Sequence, residues 1–173
     1  IPHIIGEFSK NLPDVNVQFK VGNREEIINR SLADKDDFYV FSHPPENQNL
    51  ELIDLSPNRL LAIAPENHRL TKQSHISLAE FSKHPFLMRE RGSGTEYSIQ
   101  SFLDKHNAKL NVKMTIESND AIRHAVMSGL GVSILSEHTL NYGGLSGLGV
   151  LDVENLPILS HWYLVRRKSR PLS

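Results

Sequence analysis

The sequence predicts an α/β protein, because segments with helical spacing of apolar residues alternate with short segments typical of strands. The clearest case is the stretch 86–95, where an apolar segment runs into a glycine-rich turn and then into a predicted helix. A second junction of this kind joins the alternating segment 112–116 to Ser118 and Asn119, which favour helix N-termini. The alternation of helices and strands along the chain also indicates parallel strands with helices packed on the sheet.

The first part of the chain alternates between helix and strand. Apolar spacing predicts a helix over residues 1–12 and a second helix that begins after Asn23. Between them, residues 15–21 carry valine or phenylalanine at every second position, which predicts a strand with one buried face. Three further strands are predicted at residues 38–42, 50–55 and 59–64, the last two separated by a turn at 56–58.

The remainder continues the pattern after a polar stretch, 69–75, which suits a crossing between two lobes. Predicted helices follow at 77–80, after Ser93, at 122–129 and near 137–142. Predicted strands lie at 86–89, 112–116, 132–135, 150–153 and 162–165. The last strand has no neighbour in the second part of the chain, so we expect it to return to the first part.

Composition excludes several classes of function. The 19 lysines and arginines against 20 acidic residues leave a net charge of −1, which argues against a broad cationic face for nucleic acid. There is no cysteine, so disulfide bonds and thiolate chemistry are excluded. No apolar run approaches the ~20 residues that span a bilayer, and no signal peptide is visible. We therefore expect a cytoplasmic protein that does not engage a membrane.

The glycine-rich turn is the first candidate binding element. Gly92 and Gly94 allow close approach of a ligand to the backbone, and Ser93 with Glu96 has the spacing of a capping box. Free amides at the start of the helix favour an anion, and Arg91, like Arg89, adds positive charge there. An ordinary strand-to-helix connection would have the same residues, so the turn alone does not decide between the two readings.

Polar residues at the ends of other predicted strands extend this candidate site. Ser118 and Asn119 follow one strand, while Ser42 ends another and His43 follows it. Ligands of open α/β sheets bind at the carboxyl ends of the strands, so Gly94, Thr95 and these residues could share one cleft. Helix capping alone remains an alternative explanation for Ser118 and Asn119.

The sequence predicts no catalytic set, no metal site and no cofactor. The nine histidines include no His-Glu-x-x-His pattern, and no Gly-x-Ser-x-Gly motif is present. Most of them suit the surface or the edge of a core. His43 is the exception because of its position after a strand.

Three segments resemble the effector-binding domain of LysR-type transcriptional regulators: 89–95 (RERGSGT), 117–122 (ESNDAI) and 125–136 (AVMSGLGVSILS). Four others are similar to the subgroup that controls RuBisCO and carbon-fixation operons: 21–25 (VGNRE), 37–40 (DFYV), 43–45 (HPP) and 161–163 (HWY). The resemblance extends over nearly the whole chain.

This resemblance implies a type II periplasmic-binding-protein-like fold of two α/β lobes joined by two crossover segments. Lobe I is expected to comprise residues 1–65 and 155–173, truncated at both ends, and lobe II residues 73–148. An N-terminal helix-turn-helix domain, through which alone DNA would bind, is expected to be absent from this chain.

The resemblance also implies an effector and an oligomer. A small anionic metabolite would bind between the lobes, and the subgroup suggests phosphorylated sugars, phosphoglycolate, 2-oxoglutarate or NADPH. The expected contact residues are Ser42, His43, Arg91, Ser93, Gly94, Thr95, Ser118 and Asn119. The helix at 1–12 and the region 122–129 would form an antiparallel dimer, and the full-length protein a tetramer.

Two other classes remain open at this stage. A solute-binding protein that serves a transporter would share the fold, although it would need a signal peptide. An enzyme is disfavoured because no pair of nucleophile and base is visible.

Overall fold

A computed structural model describes residues 2–46 and 49–169, and it is a mixed α/β structure as predicted. The helices are α1 (Pro2–Asn11), α2 (Arg24–Leu32), α3 (Leu78–Phe81), α4 (Gly94–Lys105), α5 (Asn119–Met127) and α6 (Glu137–Gly143), with a 3-10 helix at Arg69–Lys72. The strands are β1 (Tyr39–Phe41), β2 (Leu50–Pro65), β3 (Pro85–Arg89), β4 (Asn111–Ile116), β5 (Ser133–Ser136), β6 (Leu148–Val150) and β7 (Ile158–Arg167).

The longest strand, β2, replaces the two strands predicted at 50–55 and 59–64. It pairs antiparallel with β7 from Leu50 to Leu60, and its register shifts between Asp54 and Ser56. Pro57, which suggested a turn, follows this shift directly, at the kind of irregularity where a sheet tolerates proline. The prediction of a turn at 56–58 was therefore wrong.

The strand predicted at 15–21 is also absent, although its residues alternate. Residues 12–23 contain neither helix nor strand, and every side chain from 12 to 21 is exposed. A lone extended segment lacks ladder hydrogen bonds, and no described strand pairs with this one. Strand β7 lies between β1 and β2 and pairs antiparallel with each of them, so the predicted parallel pairing of neighbouring strands fails in this part of the fold.

Parallel pairing does occur further along, where it positions the candidate site. Strands β3 and β4 are parallel, with Arg89 opposite Ile116 at their carboxyl ends. Phe86 forms a parallel bridge with Val132, just before β5, so β5 runs in the same direction. The segments that follow β3, β4 and β5 therefore emerge at one edge.

The core is divided into three clusters of buried side chains. The largest contains Phe81 and Phe86, whose rings meet edge to face, together with Leu60 and Ala64 from the end of β2. A second cluster packs α5 against β5, and a third joins β1 to β7 through Tyr39, Phe41, Leu50 and Val165. Strand β2 therefore contributes to more than one cluster.

Several smaller expectations need correction. Residues 69–72 form a 3-10 helix in which Leu70 is fully buried, so this part of 69–75 is not a simple polar connection. The strand expected at 150–153 instead ends at Val150. Strand β7 pairs with β1 and β2, as expected for a segment that returns to the first part of the chain. Of the first helix, Ile1 lies outside the described residues.

Candidate functional site

The residues after β1, β3, β4 and β5 meet around a cavity of about 430 Å³. Its lining is rich in hydroxyl and amide groups and includes Ser42, Asn58, Arg89, Ser93, Gly94, Thr95, Ser98, Ser118, Asn119, Ser136, His138, Thr139 and Trp162. Six of the eight predicted contact residues are in this set. His43 and Arg91 are the two that are not.

The start of α4 forms one wall of the cavity. Gly92 has φ +90°, a conformation that favours glycine, and it turns the chain between β3 and the helix. Ser93 is almost fully buried, and its hydroxyl accepts a hydrogen bond from the amide of Glu96 at 3.0 Å. This is one half of the predicted capping box, and no described contact supplies the other half. A complete box is found instead at α2, between Asn23 and Glu26.

A second wall is formed by the start of α5. The hydroxyl of Ser118 accepts from the amide of Ala121 at 3.2 Å, so its capping role is confirmed. Asn119 lies in the first turn, where its side-chain oxygen accepts from Arg89. The positive ends of α4 and α5 thus face one space, which favours a negatively charged occupant.

Ser42 approaches from the opposite side, from the end of β1. A Cβ atom placed on Gly94 would lie 2.8 Å from the hydroxyl oxygen of Ser42. The absence of a side chain at position 94 therefore permits the close approach of the segment after β1 to the start of α4. This contact narrows the cavity between residues that are distant in sequence.

His43 was predicted to line this space, but it binds the protein instead. Its Nε2 lies 2.6 Å from the Ser98 hydroxyl, and its carbonyl accepts from Nε of Arg24 at 2.9 Å. Burial, and then the nearby Arg24 charge, lower the pKa of His43 below its ordinary value of 6.5. The side chain is engaged by Ser98, so it is a neighbour of the cavity and not part of its lining.

Arg91 lies in an adjoining pocket of about 480 Å³. That pocket shares Asn23, Arg89 and Glu117 with the cavity, and it also contains Glu26 and Glu90. Acidic side chains therefore line the same pocket as Arg91. Arg91 therefore lines this adjoining pocket and not the cavity, and its contact with an effector stays a prediction.

The lining also contains residues that the expected contact set omitted. Ser136 is the last residue of β5 and caps α6, and its hydroxyl donates to Oδ1 of Asn58 at 2.6 Å. His138 lies beside them, with Nε2 2.9 Å from the carbonyl oxygen of Pro57. Ser136 has the same strand-to-helix signal that identified Ser118. Asn58 and Trp162 have no such signal, because each lies within a strand and reaches the cavity only through sheet pairing.

Two absences concern only the described residues, 2–46 and 49–169. Among them no three histidine or acidic side chains form a group that could hold a metal ion. No helix there is long and apolar enough to cross a membrane.

With this fold and cavity established, comparisons place the chain in a family. Residues 1–173 match the LysR substrate binding domain, so the chain belongs to that family. It is 40% identical to the HTH-type transcriptional activator CmpR of Synechocystis sp. (strain ATCC 27184 / PCC 6803 / Kazusa), covering 100% of this chain and 57% of CmpR. It is 33% identical to the RuBisCO operon transcriptional regulator of Acidithiobacillus ferrooxidans, covering 100% of this chain and 56% of that protein.

Two solved structures of regulatory domains are also similar to this chain. The regulatory domain of Synechocystis PCC6803 CcmR, in complex with 2-PG, superposes with a TM-score of 0.93 at 36% identity, covering 99% of this chain and 83% of that one. The effector binding domain of QuiR, in complex with shikimate, has a TM-score of 0.84 at 21% identity, covering 99% and 82%, and supports the fold alone. The periplasmic-binding-protein-like fold of type II, which is typical of the family, is thereby confirmed.

These relatives are named as transcriptional regulators, so they support neither an enzyme nor a solute-binding protein of a transporter. The resemblance to the carbon-fixation subgroup is confirmed by the same names. The chain spans a little over half the length of these relatives, 57% of CmpR and 56% of the Acidithiobacillus protein.

Proposed function

We propose that this chain is the effector-sensing domain of a LysR-type transcription factor that controls carbon-fixation genes. The observation that carries the proposal is the cavity of about 430 Å³, which combines hydroxyl groups with the starts of α4 and α5. Such a lining offers many hydrogen-bond donors and the positive ends of two helices, which suits a small anion. The names of the relatives supply the operon class.

Cavity size favours a small metabolite over a dinucleotide. Ligand pockets commonly measure about 300–1,000 Å³, so this one lies near the lower limit. Phosphoglycolate, 2-oxoglutarate or a phosphorylated sugar therefore suits it better than NADPH. The similar CcmR regulatory domain is in complex with 2-PG, which is consistent with a preference for a small metabolite over NADPH.

The proposed contact residues are Ser42, Ser93, Gly94, Thr95, Ser118 and Asn119. We propose that these residues belong to two lobes. Lobe I comprises residues 1–65 and 155–173, and lobe II comprises residues 73–148. Separate clusters of buried residues support such a division. The end of β2 packs with the second of these lobes, so the connection between lobes would run within that strand.

Titration calorimetry tests the effector. The 173-residue chain should bind 2-phosphoglycolate with one molecule per chain, and NADPH more weakly. Addition of salt should weaken binding, because the interaction is with an anion. Absence of binding for phosphoglycolate, 2-oxoglutarate and phosphorylated sugars alike would refute the proposed anion site.

We also propose that the domain forms an antiparallel dimer, that the full-length protein is tetrameric, and that DNA binds through a part of it outside these 173 residues. Residues Ile4 and Phe8 of α1 are 58% and 43% exposed, which leaves an apolar face available. Within 122–129, Ile122 and Val126 are fully buried in the chain, so only the outer side of α5 could take part.

Light scattering tests the dimer. Phe8→Glu should yield monomers at a concentration where the unmodified chain is dimeric, because a charge would be buried in the apolar contact. Leu159→Glu is the control, since Leu159 is 75% exposed on β7. Dissociation by both variants, or by neither, would contradict the assignment of α1. We further propose a cytoplasmic location, as for other DNA-binding regulators.

A further inference from the structure

Arg89 and Asn119 meet although they are thirty positions apart. Arg89 ends β3, and Asn119 lies just after β4, the parallel neighbour of β3. Nη1 of Arg89 donates to the side-chain oxygen Oδ1 of Asn119 at 2.5 Å. The parallel pairing of the two strands thus brings both side chains to one wall of the cavity.

The rest of the Arg89 guanidinium is held by Glu90. Nε and Nη2 of Arg89 donate to the two carboxylate oxygens of Glu90, at 2.7 and 2.9 Å. Both side chains are mostly buried, 12% and 15% exposed. A bidentate pair of this type fixes the plane of the guanidinium, and its two charges offset each other. Arg89 is therefore held in place as part of a neutral pair.

This arrangement determines which way the Asn119 amide faces. A guanidinium has only donors, so the atom of Asn119 that meets Arg89 must be the oxygen. The Nδ2 group then faces away from Arg89, and it has no hydrogen-bond partner among the described residues. Among the described residues, the only buried side-chain nitrogen or oxygen without a hydrogen bond is Nε of Arg123. Nδ2 of Asn119 is therefore accessible, and the cavity is the space that Asn119 lines.

We infer that the Glu90–Arg89 pair positions Asn119 as a fixed hydrogen-bond donor, and that this donor selects an ionised carboxylate or phosphate oxygen. The inference rests on the proposed function, because it concerns the effector of the same cavity. A group that can only accept matches Nδ2, whereas an ammonium or an amide hydrogen at that point would leave two donors facing each other. Arg89 is thus a positioning residue that acts through Asn119.

A double-mutant cycle tests the inference with 2-phosphoglycolate and the 173-residue chain. Asn119→Ala and Arg89→Met should each weaken binding by about tenfold, the usual scale for one hydrogen bond to a charged group. In the Asn119→Ala chain, Arg89→Met should then change affinity by less than about twofold, because residues that act as a unit are not additive. Arg166→Met is the matched control, since Arg166 pairs with Glu51 outside the cavity.

A persistent tenfold loss from Arg89→Met in the Asn119→Ala chain would show that Arg89 contacts the effector itself. That result would overturn the inference and leave the proposed anion site intact.

A second measurement does not depend on the effector. The side-chain amide signals of Asn119 in a nitrogen–proton correlation spectrum are identified by their loss in Asn119→Ala. Both Arg89→Met and Glu90→Gln should shift these signals in the ligand-free chain, while Arg166→Met should not. Unchanged signals in both variants would overturn the inference. Shifted signals in a chain that binds no anion would support the positioning role and refute the proposed function.

Discussion

Nε2 of His43 lies 2.6 Å from the hydroxyl oxygen of Ser98, and this contact joins the segment after β1 to α4. The Ser98 hydroxyl also lies 2.9 Å from the carbonyl oxygen of Gly94, to which it donates. Its single proton is thus used, so Ser98 accepts from His43 and the imidazole carries hydrogen on Nε2. Arg24 reinforces the contact, with its guanidinium 4.5 Å from the centre of the Tyr97 ring.

Loss of this contact should weaken effector binding. Ser98→Ala removes the acceptor of His43 and should lower affinity for 2-phosphoglycolate by about fivefold to tenfold, the scale of one hydrogen bond. The physical reason is that the contact between His43 and Ser98 holds the segment after β1 against α4, and both of these elements enclose the cavity. Calorimetric titration measures the loss. Ser101→Ala, an exposed position on the same helix, is the control, and equal effects of the two variants would contradict the prediction.

The same histidine predicts a dependence of stability on pH. Burial and Arg24 lower the pKa of His43 in the folded chain, while the unfolded chain takes up the proton near the ordinary value of 6.5. Just below 6.5 the unfolded state therefore binds more protons, so the free energy of unfolding decreases as pH falls. The contribution is fully present above 6.5, and its loss levels off below the folded pKa.

Denaturant unfolding at a series of pH values measures this effect. His43→Gln can still donate to Ser98 but does not titrate, so its stability should fall less steeply on acidification. The pKa values of His68 and His84 are also lowered by burial, so both proteins retain some dependence. The difference between the two curves isolates His43. Parallel curves would show that His43 makes no contribution.

How far the sequence predicts this molecule depends on whether a signal is local. The cap at Ser93, the helix after Asn23 and the helix after Ser118 were all predicted, because capping depends on neighbours within four residues. The segment 15–21 shows the opposite case. Its alternation is typical of a strand, but a strand also needs a partner, and the sequence of the segment carries no information about that partner.

The residues that line the cavity also differ in how far local sequence predicts them. Ser93, Thr95, Ser118 and Asn119 were predicted because ligands collect where parallel strands lead into helices. Asn58 was not, because it was assigned to a turn, whereas β2 continues through it and pairs it with Ser160. The engagement of His43 by Ser98 was also not predictable, since it depends on the approach of two segments 55 positions apart.

Thr95 offers a direct test of the cavity wall. Its hydroxyl makes no hydrogen bond to another described residue, so Thr95→Val removes a potential effector contact and little else. We expect affinity for 2-phosphoglycolate to fall by about tenfold with the thermal midpoint nearly unchanged. Ser118→Ala is a poorer test, because loss of the Ser118 cap destabilises α5 by about 1 kcal/mol.

Thr115→Val is the control for this substitution. Thr115 is exposed on β4 and does not line the cavity. Titration and thermal unfolding of both variants separate binding from stability. If Thr95→Val binds as tightly as the unmodified chain, the effector does not contact this wall.

The last prediction concerns the gap between Ser42 and Gly94. Gly94→Ala would place a methyl group 2.8 Å from the Ser42 hydroxyl oxygen, closer than a carbon and an oxygen normally approach. The hydroxyl is the end of a small side chain and can move, so we expect the free energy of unfolding to fall by only about 1 kcal/mol, the typical size for a single substitution. The displaced Ser42 should nevertheless widen or block the cavity and weaken effector binding.

Ser42→Ala in the same chain removes the clashing atom, so the double variant should bind more tightly than Gly94→Ala alone. Gly6→Ala is the control, because nothing lies within 4 Å of its added methyl group. Titration of the four chains decides the matter: unchanged affinity in Gly94→Ala, or no recovery in the double variant, would show that the Ser42 contact does not shape the binding site.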